Sequence, residues 1–394
     1  MIRRWTFISL LLLLLLPVGC KDRIVPDRET VGLNIYVRIP EATGTKAAVG
    51  KVDAELAYES TIHDLKIWIF LSEDVPGSAT YVSGYRVGYL APRQYTFQNG
   101  QLNHFTVQIE KALAQAGMKV DVYVLANAVS IGMGTLDENT TRDQLDALFM
   151  DGELFGVKYQ NIGTEQVPNW KYVPSWTDAT LSDTGLPFTA VGKSFTLTGN
   201  YPMFSIDAVQ LKRAVSKFRF VFSQFDGVYS APAGFTVTDL KLTGNKVAAK
   251  EFLFNTTNDP WRIEGYEAHD INFVPPVCTE INSCADPAQY VFNGGLAQDY
   301  QDLILGGIAN DDLTSVGLCY LRESDLALTG SITYTLTDAT GITTPERTAN
   351  FTMAEAGGFA RSRYWIVYVY FTADGIQFSV SWTDWENGHD YPLT

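Results

Sequence analysis

Side chains that could transfer protons, act as nucleophiles or bind metal ions are scattered along this sequence. None of its four histidines has the i, i+4 or His-x-His spacing of a local metal pair. Carboxylate pairs such as Asp311-Asp312 and Asp137-Glu138 resemble the acid pair of a glycosidase, but solvated loops rich in carboxylates give the same pattern. The sequence contains no nucleophile elbow, phosphate-binding loop or dinucleotide fingerprint. It therefore predicts no catalytic site, no cofactor and no metal site.

Cys20 is the residue with the clearest chemistry. Residues 1–19 contain two arginines and an apolar run of about 14 residues, which is typical of a signal peptide and too short for a membrane-spanning helix of roughly 20 residues. Residues 16–20, Leu-Pro-Val-Gly-Cys, look like a bacterial lipobox, in which the thiol becomes a thioether to diacylglycerol. We predict that residues 1–19 are removed and that Cys20 is acylated. Residues 20–30 would then form a lipidated tether, since several acyl chains hold a protein firmly on a membrane.

The remaining cysteines are Cys278, Cys284 and Cys319. The spacing of Cys278 and Cys284, in a stretch with prolines and an asparagine, is compatible with a local disulfide, and equally with two free thiols. Cys319 lies among apolar residues, which favours a buried thiol. None of the three has the Cys/His spacing of a zinc site.

The chain is acidic and long enough for two domains. Its formal charge is −15, and loss of the two signal arginines makes it −17, from 27 Lys and Arg against 44 Asp and Glu. Such a chain repels nucleic acid, which is therefore excluded as a partner. Its 394 residues suggest two domains, since one domain takes roughly 100 to 200 residues. A composition shift near residue 210 separates residues 31–210 from residues 211–394.

Two segments near the ends of the chain alternate between apolar and polar residues, as half-buried strands do. The first covers residues 31–39 and the second covers residues 376–382. A small-residue linker with Lys46 follows the first segment, and Lys51 comes just beyond it. The apolar residues of the two segments are Val31, Leu33, Ile35, Val37, Ile39, Ile376, Phe378, Val380 and Trp382.

The rest of the chain also favours strands. A helix is predicted over residues 141–149, because Thr141 and Gln144 have the spacing of a capping box. Short strands separated by turns in both halves predict an all-β fold with two sandwiches. Further strands are predicted near residues 61–71, 105–109, 120–126, 217–222, 235–242, 331–336 and 364–371.

Three aromatic residues, Trp170, Tyr172 and Trp176, lie in a stretch that contains proline. Aromatic rings at this spacing could stack on a sugar or dock a partner. Packing onto their own domain would use the same side chains. A surface protein that binds glycans is therefore an alternative function.

Several stretches resemble segments of fimbrillins, the two-domain, lipoprotein-derived pilins of type V pili in Bacteroidia. Each stretch alone is an ordinary strand sequence, but their order and spacing extend over nearly the whole chain after the signal. The lipobox adds to the resemblance. The stretches are Glu59-Ser60-Thr61-Ile62 and on to Phe70, residues 122–128 (VYVLANA), Tyr201-Pro202-Met203, and Arg213-Ala214-Val215-Ser216-Lys217.

The resemblance implies two transthyretin-like β-sandwiches and an outer-membrane lipoprotein at the cell surface that assembles into a fimbrium with other pilus subunits and supports adhesion. It also implies that a trypsin-like protease cuts after a basic residue and frees the first strand, here residues 31–39. The terminal strand of another subunit, here residues 376–382, would fill the groove. The adhesion receptor is not implied by any residue of the sequence.

The site of the cut departs from the family pattern. Stalk subunits of that family favour arginine, whereas this linker offers Lys46 first and Lys51 second. This departure favours an alternative in which the chain is an uncut anchor or accessory subunit of the pilus.

Overall fold

The chain is described here by a computed structural model, and its described part is mostly β-strand. Three short helices are present in it: α1 (Ala57–Ser60), α2 (Arg142–Asp146) and α3 (Asp178–Thr184). None of the described helices has the length and apolar character needed to cross a membrane. The structure describes residues 29–39, 57–92, 95–98, 100–150, 157–161, 164–168, 170–174, 178–225, 234–255, 262–273, 275, 283–284, 314–353, 360–372, 375–384 and 389–392.

The strands form four sheets, so the predicted all-β class is confirmed. In chain order they are β1 (Thr30–Arg38), β2 (Leu65–Leu71), β3 (Arg86–Leu90), β4 (Leu102–Glu110), β5 (Lys119–Ala126), β6 (Phe149–Met150), β7 (Val157–Asn161), β8 (Trp170–Pro174), β9 (Phe188–Thr196), β10 (Thr198–Asn200), β11 (Met203–Ser205), β12 (Val209–Gln210), β13 (Lys212–Arg213), β14 (Ser216–Phe225), β15 (Gly234–Phe252), β16 (Ile263–Asn272), β17 (Ser283–Cys284), β18 (Thr314–Leu321), β19 (Leu328–Thr337), β20 (Arg347–Met353), β21 (Arg363–Thr372), β22 (Gly375–Asp384) and β23 (His389–Pro392).

The first sandwich consists of two five-stranded sheets. Sheet A contains β10, β11, β1, β12 and β4, and sheet B has the order β13-β9-β5-β2-β3. Alternate residues of β1 and β4 face sheet B and are buried, as expected for strands with one covered face. All seven residues of β2 are buried, because both faces of sheet B are covered. On its outer face, the Lys66 amine donates hydrogen bonds to the carbonyls of Gly134 and Leu136.

The second sandwich packs a seven-stranded sheet C against a six-stranded sheet D. Sheet C has the order β20-β19-β15-β16-β8-β7 with β6 beside β15, and sheet D has the order β17-β14-β21-β22-β23 with β18 beside β14. A separate core fills the space between them. It includes Phe218 and Phe220 from β14, Leu240 from β15 and Trp365 from β21, all almost fully buried.

Strands from the first half of the chain enter the second sandwich. Residues 149–150 in β6 pair with the end of β15, and Tyr172 in β8 pairs with Ile271 in β16. Conversely, Leu253 and Phe254, which follow β15, pack in the core of the first sandwich. The division at residue 210 stays a prediction, but the two halves are joined by strand pairing as well as by the chain.

Two predicted elements have different bounds in the structure. The strand predicted from residue 61 begins at Leu65, because the segment before it bonds to Asn127: the Asn127 amide donates to the Thr61 carbonyl and its oxygen accepts from the amide of His63. The helix predicted over residues 141–149 has the expected capping box at Thr141. It ends at Asp146, because Phe149 pairs with β15 instead.

Candidate assembly strands and the pairs that join the sandwiches

β1 lies inside sheet A and has hydrogen-bonded neighbours on both edges. It pairs antiparallel with β4 along its whole length, from Thr30 opposite Glu110 to Arg38 opposite Leu102. Its other edge pairs in parallel with β11 and with β12. Loss of β1 would therefore leave unpaired main-chain groups on both sides of a gap, and such groups can pair with another chain.

The inner face of β1 is a row of five apolar side chains against sheet B. Each of these side chains is at most 3% exposed, and they are Val31, Leu33, Ile35, Val37 and Ile39. On the outer face, the Tyr36 ring stacks on the His104 ring of β4 with 5.2 Å between centroids, and Asn34 accepts a hydrogen bond from Thr106. The structure thus places all five predicted residues of the first strand in one buried row.

Gly32 is the point of closest approach between β1 and its parallel neighbour. It is the register partner of Met203, and its amide donates to the carbonyl of Pro202. A Cβ atom at Gly32 would lie 2.8 Å from the Met203 Sδ and 3.1 Å from the Thr106 Cγ2. A larger residue would therefore displace the end of the Met203 side chain, which is flexible and 46% exposed and can move at little cost.

β22, the predicted donor strand, lies inside sheet D. It contains Ile376, Phe378, Val380 and Trp382, pairs antiparallel with β21 over ten residues, and pairs with β23 through its last four. Ile376 is partly buried against the second core. The chain as described therefore keeps both β1 and β22 in its own sheets, and the last described strand is β23 and not β22.

Several predicted site residues lie outside the described residues. They are Cys20, Lys46, Lys51, Cys278 and Trp176. Cys284 ends β17. Its pairing with Cys278 stays a prediction, because Cys278 lies outside the described residues. Cys319 is a free, buried thiol, as predicted, and burial raises its pKa.

Trp170 and Tyr172 lie two residues apart in β8. The part of the chain that is described holds no group of three or more His, Cys, Asp and Glu suited to a metal ion.

A buried ion pair joins the two sandwiches. Glu59 of α1 and Lys217 of β14 are each at most 1% exposed, and the Lys217 Nζ lies 2.7 Å from the Glu59 Oε1. The Tyr320 hydroxyl of β18 donates to the same oxygen at 2.6 Å. The Arg213 Nε donates to the main-chain carbonyl of Glu59 at 2.9 Å. A buried charge is tolerated when it is paired and hydrogen-bonded, as it is here.

A second buried cluster connects the end of β15 with the segment before β21. The Arg361 guanidinium lies 2.8 Å from the Glu323 Oε2 and 3.2 Å from the Glu251 Oε1. Arg361 also donates to the carbonyls of Phe252 and Leu253. Arg361 therefore lies close to two carboxylates, and Arg322 adds a second positive charge near Glu251. Burial, together with the nearby charge of Glu323, raises the pKa of Glu251 to about 8.

The side-chain contacts in these two buried clusters were not predicted from the sequence. Glu59 and Lys217 stand in two of the stretches that carry the fimbrillin resemblance, but they are 158 residues apart. A charged residue inside an otherwise apolar strand, such as Lys217 within SKFRFVF, is the signal that could have pointed to a buried partner. The identity of that partner depends on the tertiary fold.

The comparisons with known proteins give structural neighbours alone. No family model matches the chain, and no curated protein matches its sequence. Its structural neighbours are fimbrial and cell-adhesion proteins of Bacteroidia. A candidate cell adhesion protein from Parabacteroides distasonis is 15% identical, with a TM-score of 0.48 over 92% of this chain and 98% of that chain.

Two further neighbours are fimbrial proteins. The tip fimbrial protein Mfa3 from Porphyromonas gingivalis, with a C-terminal truncation, is 13% identical, with a TM-score of 0.41 over 91% of this chain and 100% of that chain. A fimbrial assembly protein from Parabacteroides distasonis is 11% identical, with a TM-score of 0.42 over 93% of this chain and 100% of that chain.

Proposed function

We propose that this chain is a subunit of a fimbrium, exported as a lipoprotein, which assembles by strand exchange and supports cell adhesion. The observation that carries the proposal is the position of β1. It is a complete inner strand of sheet A with five buried apolar side chains, and the sequence that follows it contains Lys46 and Lys51. A cut after either lysine by a trypsin-like protease would separate β1 from the rest of the chain.

The physical basis is the addition of a strand to an open sheet. Main-chain hydrogen bonds to β4, β11 and β12 give affinity, and pockets for alternate side chains give register. Burial of the four apolar side chains of the incoming strand at roughly 1.5 to 3 kcal/mol each contributes about 6 to 12 kcal/mol before the cost of ordering the strand. This range is large enough for a durable joint between subunits. The incoming strand would be residues 376–382 of another subunit, released from β21 and β23.

The same cut would decide where the subunit stays. Cys20 lies on the N-terminal side of β1, so a cleaved subunit leaves its acyl chains behind with the first strand. An uncut copy keeps both its own β1 and its attachment to the outer membrane. Cut copies would therefore form the fibre, and an uncut copy would act as the anchor or accessory subunit.

The experiment is limited trypsin treatment of the chain from residue 20 onward with Cys20→Ser. Release of an N-terminal fragment that contains β1, followed by ladders that resist SDS, is the expected result. A Lys46→Gln/Lys51→Gln variant is the matched control and stays monomeric. If the fragment is released completely and the remainder is still monomeric, the strand-exchange function is wrong.

Glycan binding is the second candidate, because the aromatic residues Trp170 and Tyr172 lie two residues apart in β8. A glycan array with the wild-type protein and a Trp170→Ala/Tyr172→Ala variant separates the two functions. Specific sugar binding that the double variant loses would favour the glycan-binding function. Loss of ladder formation in the same variant would instead indicate a structural role for β8.

A further inference from the structure

β20 is an edge strand of sheet C that lacks the usual protection against pairing with another chain. It pairs with β19 on one side, and the described part of the chain places no strand on its other side. Edge strands usually carry charges that block further pairing, as β3 does with Arg86 and β4 with Glu110. Residues 348–353, Thr-Ala-Asn-Phe-Thr-Met, contain no charge, no proline and no glycine. Such a segment favours strand pairing.

Alternate residues of β20 direct their main-chain groups to this open edge. In β19, the Leu336 carbonyl accepts a hydrogen bond from the amide of Thr344, which lies on the β20 side. The Thr333 carbonyl faces the other way and accepts from the Thr238 hydroxyl of β15. Even-numbered residues of β19 therefore bond to β20, and their register partners in β20 are the odd-numbered residues. The residues whose amides and carbonyls point outward are Thr348, Asn350 and Thr352.

The side chains of β20 leave room for a neighbouring strand. On the inner face, the Phe351 ring lies over Gly330 of β19, where a Cβ atom would be 2.1 Å from the Phe351 Cζ. The same ring packs against Phe220 of β14 with 5.6 Å between centroids, so it lies toward the core and away from the open edge. On the outer face, the Thr348 hydroxyl lies 3.1 Å from the Thr333 hydroxyl and continues a polar row toward the edge.

We propose that β20 pairs with β20 of a second copy of this chain, antiparallel and about a two-fold axis at Asn350. In this register Asn350 lies opposite the partner's Asn350, and Thr348 lies opposite the partner's Thr352. Ala349 lies opposite the partner's Phe351, so a small side chain meets a large one. Every outward amide of β20 then finds a carbonyl of the partner, and sheet C of one copy continues into sheet C of the other.

Charge supports a second copy as the partner. The chain has a formal charge of −15, so most surfaces of two copies repel each other. Residues 348–353 add no negative charge, which makes this edge a place of weak repulsion. A register centred on Ala349 would place Arg347 opposite Phe351, and one centred on Phe351 would bring two of its rings together. The register centred on Asn350 avoids both and uses the whole of β20.

This contact is independent of the proposed strand exchange. It uses neither the groove of β1 nor a protease cut, and it would join copies side by side through sheet C. Strand exchange would instead join copies end to end through sheet A. Because many copies in a fibre or on a membrane act together, a weak lateral contact gains strength there from multivalency.

Cysteine cross-linking tests the register in the uncut chain from residue 20 onward with Cys20→Ser. In the proposed register, Asn350→Cys faces its own equivalent with Cα atoms about 5.5 Å apart, which a disulfide can span. We expect this variant to form a disulfide-linked dimer by itself. Thr348→Cys and Thr352→Cys should cross-link only when the two are mixed. The Cys20→Ser parent measures the background from Cys278, Cys284 and Cys319.

Other cross-linking patterns would overturn the register. A mixture of Asn350→Cys with Thr348→Cys or with Thr352→Cys that cross-links more than Asn350→Cys alone would place the axis at Ala349 or at Phe351. No cross-link above the background in any of these samples would overturn the pairing itself.

Analytical ultracentrifugation of the same uncut chain tests association without new cysteines. Asn350→Lys places two like charges opposite each other and should weaken the dimer by roughly tenfold or more. Thr236→Lys is the matched control, because Thr236 is also exposed on sheet C but lies in β15, two strands from the edge. A parent chain that stays monomeric, or equal weakening by the two variants, would overturn the proposal. Trypsin-dependent ladders in Asn350→Lys report strand exchange separately, so either idea can fail without the other.

Discussion

The Glu59–Lys217 pair combines two charges that lie almost entirely out of water. Removal of one partner leaves the other as an unpaired buried charge beside an apolar core. Breaking such a pair costs about 3 to 5 kcal/mol. We expect Glu59→Gln to lower the free energy of unfolding in urea by that amount. Glu264→Gln is the matched control, because its pair with Lys250 is exposed and worth about 1 kcal/mol or less.

The double variant Glu59→Gln/Lys217→Met tests whether the pair acts as a unit. It removes both charges together, so its loss of stability should be clearly smaller than the sum of the two single losses. Additive losses would mean that the two residues act through separate contacts rather than through their mutual attraction. Glu59 bonds to Tyr320 and Arg213, and Lys217 lies over the Tyr364 ring.

Glu251 gives the junction an unusual dependence on pH. Burial and the charge of Glu323 raise the pKa of Glu251 from 4.5 to about 8, so the folded chain binds a proton here that the unfolded chain releases above about pH 4.5. This contribution to stability is complete below about pH 4.5 and is lost as the pH rises toward 8. A glutamine at this position mimics the protonated carboxyl at every pH.

We therefore expect Glu251→Gln to be more stable than the wild type at pH 8 and close to it at pH 5, as measured by urea unfolding. Asp121→Asn is the opposite control: burial alone would raise the pKa of Asp121, but bonds from Ser72 and Ser194 and the charge of Lys193 hold it below its usual value. That carboxylate stabilises the fold above its unfolded pKa. Equal pH profiles for Glu251→Gln and wild type would contradict the assignment.

At the scale of elements, β1 is the segment on which the proposed assembly depends. A synthetic peptide with the sequence of residues 30–39 should occupy the groove of trypsin-cleaved subunits and suppress ladder formation, because it restores both the hydrogen bonds and the buried row. The matched control peptide carries Ile35→Asp, which brings a charge to a fully buried position of the row and should suppress ladders far less. Densitometry of SDS gels against peptide concentration measures both effects. Equal suppression by the two peptides would mean that the buried row does not bind the peptide.

The strands were predictable from the sequence where local patterns decide the structure. Alternation at residues 31–39 identified β1 within one residue at each end, and the capping box located the start of α2 at Thr141. The end of α2 was not predictable, because Phe149 is drawn into a strand by Phe252, which is about a hundred residues away in sequence. Likewise, the interior place of β22 depends on β23 and β21 together.

Part of the candidate site was likewise predictable from the sequence, and part was not. The two rows of apolar residues are visible as a period of two, and the resemblance assigned them their roles. The Met203 contact was not visible, because the parallel pairing of β11 with β1 joins residues far apart in the chain. Gly32 alone gave a local hint, since glycine within a strand often marks a close approach of another group.

At the scale of the whole molecule, the two sandwiches are built as one body. β6 and β8 from the first half pair with strands of sheet C, while Leu253, Phe254 and Tyr320 from the second half complete the first core. The Glu59–Lys217 pair and the Arg361 cluster lie at the same junction. The proposed fimbrial subunit would transmit force from one neighbour to the next across this junction, which is held by strand pairing, shared core residues and buried ion pairs.

This construction predicts that the chain unfolds as a single unit. Independent sandwiches would give two heat-absorption peaks, whereas shared strands and a shared core should give one peak whose calorimetric and van't Hoff enthalpies agree. For the same reason, separate fragments of residues 31–210 and 211–394 should each be insoluble or unfolded. The first fragment lacks Leu253, Phe254 and Tyr320 of its core, and the second lacks β6, β7 and β8 of sheet C. Scanning calorimetry of the chain from residue 20 onward with Cys20→Ser measures the first expectation. Two resolved peaks, or a fragment that folds alone, would show that the contacts across the junction add little to either sandwich.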